Sequence, residues 1–226
     1  MPITTKEQLV IYGAADEVPT DGFGNPVRVL NGLRIGKIWY QTYLYEVGAR
    51  LGCHFTLEIY REGGPRAGAK SRSYPDGTGW IKNDREIKSI RGLVAKLKED
   101  MSKCVVIQDR EHPTIIHLVD AALAKKAGYV LDRRVTIKYD GLIAGLPEAI
   151  GKQIDGIDAA RGGSNMEQGG DWFTRISVQA QSAKIRDLLT RSVPLKDYNV
   201  ILWIADTDVA DGQLRTTVRF LGRRLK

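Results

Sequence analysis

The residues best suited to chemistry lie in the stretch SYPDGTGWIKNDREIKS, which contains Asp76, Glu86 and Lys88. Hard carboxylate oxygens are the ligands that Mg²⁺ prefers in proteins. A divalent cation held by them can activate a bound water molecule. The stretch therefore has the side chains for a metal site, provided that they converge on one ion.

Local backbone preferences give the same stretch another interpretation. Pro75 presets one dihedral angle and Asp76 precedes a glycine, so YPDGTG is a strong turn signal by itself. Asp84 can cap a helix that already contains Ile87, in which case Glu86 and Lys88 do not share a strand. The sequence leaves open whether this stretch forms a metal site or a turn followed by a capped helix.

The elements that must position these residues are an alternation of helices and strands. Apolar spacing predicts helices in IGKIWYQTYLYEVGARLG and IKSIRGLVAKLKEDM, and strands in CHFTLEIY and KCVVIQD. HPTIIHLVDAALAKKAGY has the clearest helical signals, with Pro113 in its first turn and Gly128 at its end.

Beyond residue 130 the pattern shifts toward strands. RRVTIKYDG, DWFTRISVQAQS and YNVILWIAD are expected to be strands, the last of them paired through a turn with a strand in QLRTTVRFLG, and a short helix is expected over 147–154. We expect an α+β protein in which 1–130 form an α/β half, with helices flanking a mixed sheet, and 131–226 form a β-rich half. The two halves can belong to one compact domain.

The order of elements over residues 37–108, together with Pro75–Asp76 and Glu86–Ile87–Lys88, resembles the PD-(D/E)xK nucleases. The resemblance implies that Asp76 and Glu86 bind Mg²⁺ as cofactor and that Lys88 orients or deprotonates the attacking water. It also implies a further carboxylate on the preceding helix, at Glu46. Glu86 and Lys88 would then face the same way on one strand.

The charge balance favours a polyanionic partner. The chain has 34 basic and 27 acidic residues and a net charge of +7, and neutralising phosphates releases counterions. The loop REGGPRAGAKSRS carries Arg61, Arg66, Lys70 and Arg72 and is followed by Tyr74, a stacking face. These five residues are the candidate nucleic-acid contacts, although a solvated hairpin tip would have the same composition.

Other candidate metal or disulfide sites are weak. Cys53 and Cys104 stand beside apolar residues, so we expect buried thiols rather than a disulfide or a zinc site. The three histidines fit no zinc-ligand spacing with them, and a plain packing or surface role is expected for each. Asp206, Asp208 and Asp211 follow an apolar strand and could hold a metal, but a hairpin loop is the better interpretation.

No stretch suggests export or membrane insertion, so a soluble, cytoplasmic protein is expected. The function expected is nucleic-acid binding, with DNA or RNA as partner, and in its most concrete form a Mg²⁺-dependent nuclease. The alternative is a non-catalytic structural or assembly protein of a virion or nucleoprotein complex. In that alternative the β-rich half would supply contacts between subunits of a homo-oligomer.

Overall fold

The computed structural model describes residues 28–30, 33–61, 80–83, 86–159, 174–195, 200–210 and 212–221. The strands are β1 (Arg28–Leu30), β2 (Leu33–Trp39), β3 (His54–Arg61), β4 (Trp80–Asn83), β5 (Cys104–Gln108), β6 (Ile115–Asp120), β7 (Arg134–Leu142), β8 (Ile157–Ala159), β9 (Arg175–Lys184), β10 (Ile201–Ala210) and β11 (Gln213–Phe220). The helices are α1 (Tyr40–Leu51), α2 (Ile90–Asp100), α3 (Ala121–Ala124), α4 (Leu146–Gly151) and α5 (Ile185–Ser192). The expected α+β class is confirmed.

The largest sheet has six strands in the order β5-β6-β3-β10-β11-β8. Its centre is parallel, because β3 pairs in parallel with both β6 and β10, whereas β5 and β11 join it antiparallel. We call it the central sheet. It combines strands that precede residue 130 with strands that follow it. A separate antiparallel sheet has the order β1-β2-β4.

Apolar side chains cover both faces of the central sheet. On one face α1 and α2 pack against β3 through residues such as Leu44, Leu93 and Phe55. On the other face α5 packs against the sheet through Leu189. Trp203 belongs to the same apolar cluster and is fully buried. The alternation in β3 had suggested that one side of the strand is buried. In the structure β3 is buried on both sides over most of its length. Burial against helices on both faces is the usual environment of parallel strands.

Strands β7 and β9 form a separate two-stranded antiparallel ribbon. One face of this ribbon packs against the α5 side of the central sheet through residues such as Val135, Ile137 and Val178. A bulge interrupts the pairing between Val135 and Ile137. At the bulge Ser182 adopts a left-handed backbone with φ of 49°, and its N–H donates to Thr136 Oγ1 at 3.1 Å.

The helix predicted over residues 112–129 is wrong for most of its length. Residues Ile115–Asp120 form β6, and only Ala121–Ala124 are helical, with Asp120 as the N-cap. The β-branched pair Ile115–Ile116 favours extended backbone, and a central strand buried on both faces reads as a continuous apolar run. Such a run cannot be distinguished from a buried helix by its periodicity alone.

Three other features of the fold differ from the sequence-based expectation. The segment predicted as one helix from residue 35 is strand β2 up to Trp39 and helix α1 from Tyr40. Helix α5 had not been predicted. Strand β10 continues to Ala210, so Asp206 and Asp208 lie within a strand and not in a loop, although the predicted antiparallel pairing of β10 with β11 is confirmed.

Cys53 and Cys104 are free and buried, as the sequence indicated, and burial raises the pKa of each thiol to about 12. Thiols with such a high pKa are poor nucleophiles at neutral pH. Within the described ranges, no helix has both the length and the apolar composition needed to cross a lipid bilayer.

Candidate functional site

The stretch that motivated the nuclease interpretation is not one continuous strand. Strand β4 ends at Asn83, and Glu86–Lys88 lie in an irregular connection that leads into α2. The N-cap of α2 is Ser89, whose hydroxyl accepts a hydrogen bond from the N–H of Gly92 at 3.1 Å. Glu86 and Lys88 therefore do not lie on a strand, although Ile87 between them is buried and their own side chains are both on the exposed side.

Glu86 is held by cations. Its carboxylate lies 3.8 Å from Arg50 Nη1 and 3.6 Å from Lys88 Nζ, and Arg50 Nη2 donates to the carbonyl of Ile87 at 2.9 Å. The side chain of Glu86 is 40% exposed and that of Lys88 is 80% exposed. Glu46 lies on α1 one turn before Arg50, so Glu46 and Arg50 share a face of that helix. The structure thus brings Glu86 and Lys88 together beside Arg50, and Glu46 lies one helical turn from Arg50.

Asp76, the other proposed metal ligand, lies outside the described residues. Among the residues that the structure does describe, no three His, Cys, Asp or Glu side chains form a group able to hold a metal ion. Of the two proposed metal ligands, Asp76 and Glu86, only Glu86 is described, and two cations lie beside its carboxylate. A Mg²⁺ site here would therefore depend on Asp76.

Arg61, the first of the predicted nucleic-acid contacts, lies at the end of β3 in a cluster that spans three strands. Its Nη2 donates to Asp206 Oδ1 at 2.9 Å, and Arg219 Nη2 donates to Asp206 Oδ2 at 3.1 Å. Both oxygens of Asp206 are used, which leaves this carboxylate poorly suited to bind a metal. Arg66, Lys70, Arg72 and Tyr74 lie outside the described residues, as does Asp211.

The opposite face of the central sheet holds a buried ion pair. Arg186 of α5 donates from Nε and Nη2 to Glu58 of β3 at 2.5 and 2.9 Å, and from Nη1 to Asp132 at 2.5 Å. Burial alone would lower the pKa of Arg186, but its hydrogen bonds to Glu58 and the negative charges of Glu58 and Asp132 raise it overall. Since the Glu58 side chain is fully buried, this pair attaches α5 to the sheet.

Thr56, His117 and Asp109 form a hydrogen-bonded chain on that same face. Thr56 Oγ1 lies 2.8 Å from His117 Nδ1, and His117 Nε2 lies 3.3 Å from Asp109 Oδ2. These residue types could activate a nucleophile, but Thr56 is fully buried in a central strand. No substrate can reach its hydroxyl, so the chain satisfies the polar atoms of a buried histidine.

The pKa values of this chain follow from burial and hydrogen bonding. Burial lowers the pKa of His117, although the hydrogen bond to Asp109 opposes the shift. Burial alone would raise the pKa of Asp109, but hydrogen bonds from His117 and from the N–H groups of His112 and Glu111 lower it overall. His117 is therefore neutral and Asp109 ionised near pH 7.

The ribbon of β7 and β9 presents an exposed polar surface on the side that faces away from the core. We call this surface the ribbon face. Its residues are Arg134, Thr136, Lys138, Asp140, Arg175, Ser177, Gln179 and Lys184, all of which are exposed. Most of them are basic or neutral, and the one acid, Asp140, accepts a hydrogen bond from Arg175 at 3.0 Å.

Three of the basic residues of the ribbon face, Arg134, Lys138 and Lys184, lack carboxylate partners among the described residues. Arg134 lies directly opposite Lys184, and Lys138 lies opposite Gln179. Arg134 donates to the carbonyl of Ser182, and none of these three cations forms an ion pair with a described residue. Like charges directly opposite each other in an antiparallel pair are unfavourable, so this end of the ribbon is electrostatically suited to an anion.

A shallow groove adjoins this end of the ribbon. It has a volume of about 570 Å³ and runs between β9 and α5. Arg134 and Lys184 line one side, and Asp187 and Arg191 line the other, where Arg191 is paired with Glu111. The lining of the groove therefore carries charges of both signs.

Sequence reasoning missed the ribbon face, although it predicted both strands. The alternation of RRVTIKYDG places Arg134, Thr136 and Lys138 on one side, and this signal could have been used. The pairing of β7 with β9 was the missing information, because only the register sets Lys184 against Arg134. No protein-family model matches this chain, and comparisons with curated proteins and with solved structures find no match either.

Proposed function

We propose that this protein binds nucleic acid and that the ribbon face is its principal contact surface. The observation that carries the proposal is the placement of Arg134 directly opposite Lys184, with Lys138 on the same face and no carboxylate paired to any of them among the described residues. Phosphate is the anion that such a surface meets in nucleic acid, and contacts to phosphate supply most of the non-specific affinity.

Other arginines with described partners support this choice of surface by contrast. Arg61 and Arg219 share Asp206, Arg186 is held by Glu58, and Arg191 is held by Glu111. Each of these cations has a carboxylate partner within the protein, although Arg61 and Arg219 share one. Arg134, Lys138 and Lys184 have none among the described residues, so their charge is less compensated when a phosphate backbone approaches.

The segment that follows Arg61 extends the proposal. Arg66, Lys70, Arg72 and Tyr74 combine cations with a stacking ring, and the chain enters this segment from the end of β3. The paired Arg61 fixes that entry point through its ion pair with Asp206. We assign the segment a secondary contact with nucleic acid, in addition to the ribbon face.

The binding proposal is tested by removing charge from the ribbon face and, separately, from elsewhere. The test variant is Arg134→Gln, Lys138→Gln and Lys184→Gln together, and the control is Lys98→Gln, Lys125→Gln and Lys152→Gln, which removes equal charge from exposed positions outside the ribbon. Fluorescence anisotropy with labelled DNA and RNA gives the affinity at several salt concentrations. Loss of three phosphate contacts lowers the slope of log K against log salt by about 2.7 and weakens binding roughly tenfold or more at low salt.

The control variant should change affinity far less than the ribbon variant, because non-specific long-range attraction is screened within about 10 Å at 0.1 M salt. Equal losses in the two variants would show that net charge alone matters and would remove the ribbon face from the proposal. The absence of any binding by the parent protein at low salt would end the proposal itself.

The catalytic form of the proposal is a Mg²⁺-dependent nuclease that uses Asp76, Glu86 and Lys88, with Glu46 as a helper. The placement of Glu46 and Glu86 beside Arg50 supports it in part. Cleavage of DNA and RNA is compared in Mg²⁺ and in EDTA for the parent, Asp76→Asn and Glu86→Gln, with Glu99→Gln as a control on α2. Metal-dependent cleavage that disappears in both site variants supports this form, and intact substrate with the parent protein rejects it.

A second candidate function is the non-catalytic assembly role, which is supported by the open outer edges of the ribbon. Among the described residues, β7 and β9 hydrogen-bond as strands only with each other, so neither outer edge has a strand partner. Open edges can accept a strand from another subunit. Light scattering after size-exclusion chromatography gives the mass in solution, and a monomer at all concentrations would reject this role. The expected cytoplasmic or virion location belongs to these proposals.

A further inference from the structure

We infer that the ribbon face binds B-form DNA duplex by entering its major groove. This inference rests on the proposed function, because it identifies the form of nucleic acid that the same surface takes. Three features of the ribbon carry it: its width, the spacing of its cations and the chemical types of the side chains between them.

The width of the ribbon suits the major groove of B-form DNA. Paired strands lie about 4.8 Å apart, and the major groove is about 12 Å wide and admits a two-stranded ribbon. The major groove of A-form RNA is deep and narrow, and side chains cannot read it. The ribbon face is exposed along both strands, so the whole face is open to a groove of this size.

The cations of the ribbon face are placed for phosphates on both sides of such a groove. In a ribbon that lies along the groove, each strand faces one of the two DNA backbones, and Arg134 of β7 lies opposite Lys184 of β9. Lys138 lies four residues from Arg134 on the same face of β7, about 13 Å along the strand. The pattern therefore places one cation toward each backbone at one end of the ribbon and a further cation along one of them.

The side chains near the middle can hydrogen-bond to base edges. Thr136 lies between Arg134 and Lys138 on β7, and Gln179 lies opposite Lys138 on β9. A glutamine amide both donates and accepts, which matches the N6 and N7 atoms of adenine in the major groove. Threonine contacts bases through its hydroxyl and thymine through its methyl group. These contacts would add a modest sequence preference to binding that phosphates dominate.

The ribbon face has no aromatic ring to stack on unpaired bases. Tyr139, the aromatic residue of β7, packs on the core side, and its hydroxyl donates to the carbonyl of Leu142 at 2.6 Å. Non-specific binding of single strands depends on stacking against aromatic side chains. The ribbon face therefore favours a duplex over a single strand.

The test compares three labelled probes of one sequence: a DNA duplex, an RNA duplex and single-stranded DNA. Anisotropy titrations of the full chain should give an affinity for the DNA duplex about tenfold or more above that for either other probe, in line with the gap between specific and non-specific contacts. Lys138→Gln should lower the salt slope on the DNA duplex by about 1. Gln179→Ala should leave that slope unchanged and alter the ranking of duplexes of different sequence, whereas the exposed control Gln153→Ala should change neither.

The outcomes separate this inference from the proposal beneath it. Binding to single strands or RNA duplex as tight as binding to DNA duplex overturns the inference and leaves nucleic-acid binding intact. A Gln179→Ala variant that ranks duplexes like the parent overturns it too. Failure of all three probes to bind overturns both the inference and the proposed function.

Discussion

Charged side chains on the central sheet and on the ribbon differ in burial and in ion pairing. In the central sheet, Glu58 and Arg186 are buried and fully engaged with each other and with Asp132. In the ribbon, Arg134 and Lys184 face solvent and each other, and neither has a carboxylate partner among the described residues. Buried charges that hold the fold together and solvent-facing charges without a carboxylate partner therefore occupy different surfaces of this molecule. The two kinds of site are nevertheless close in sequence, because β9 leads directly into α5, which carries Arg186.

The largest effect is expected from removing Arg186, the cation of the buried ion pair. Arg186→Met leaves the carboxylate of Glu58 buried without its main partner, and we expect a loss of about 3–5 kcal/mol in the free energy of unfolding. Urea denaturation followed by circular dichroism measures this loss. The matched control on the same helix is Arg191→Met, whose partner Glu111 is exposed, and its cost should be about 1 kcal/mol or less. Equal losses for the two variants would contradict the distinction between buried and exposed pairs.

An intermediate effect is expected at the buried histidine. Because burial lowers the pKa of His117 in the folded protein, the unfolded chain takes up a proton more readily once the pH falls below about 6.5. The stabilisation is complete above that pH and is lost as the pH falls through the pKa of the folded state. The free energy of unfolding of the parent should therefore decrease between pH 7.5 and pH 5.5.

His117→Gln tests the origin of that decrease. The variant loses part of the hydrogen-bonded chain with Thr56 and Asp109, which costs about 1–3 kcal/mol at pH 7.5, but its stability should depend less on pH over the same range. His112→Gln removes an exposed imidazole and serves as the control. A parent and a His117→Gln variant with the same pH dependence would show that another group causes it.

The smallest expected effect is a gain in stability rather than a loss, and it comes from a substitution in the ribbon. Lys184→Glu replaces a like-charge pair with an attractive pair opposite Arg134, and we expect the free energy of unfolding to rise by about 0.2–1 kcal/mol. Binding to nucleic acid should weaken at the same time. Denaturation and anisotropy on one preparation measure both quantities, and Lys152→Glu is the surface control. A loss of stability in Lys184→Glu would show that the two cations do not repel each other.

Local patterns predicted much of the fold. The alternation in β3, β7, β9 and β11 and the helical spacing of α2 are properties of short segments, so the sequence indicated them directly. The error at β6 has a physical cause, because a strand covered on both faces loses the alternation that identifies strands. Helix α5 was missed because it directly follows β9 and lies in a region where strand patterns dominate.

The site was harder to predict because its geometry depends on pairing between distant segments. The register that places Arg134 against Lys184 and the contact of Arg186 with Glu58 both connect residues far apart in the chain. Short motifs such as Pro75–Asp76 and Glu86–Lys88 are local, and for that reason they attracted attention first. The α+β class is confirmed, whereas the nuclease residues and the contacts of the basic segment stay predictions.

The bulge at Ser182 keeps the charge of Lys184 on the solvent side of the ribbon. With regular pairing from Ile137 onward and every residue retained, Ala183 would lie opposite Arg134, and Lys184 would turn toward the core. The extra residue at the bulge places Lys184 opposite Arg134 instead. A relative that lacked this one residue could pair regularly and still place the lysine opposite the arginine, whereas a relative with one residue more or fewer elsewhere between the two pairs, and the same bulge, would not.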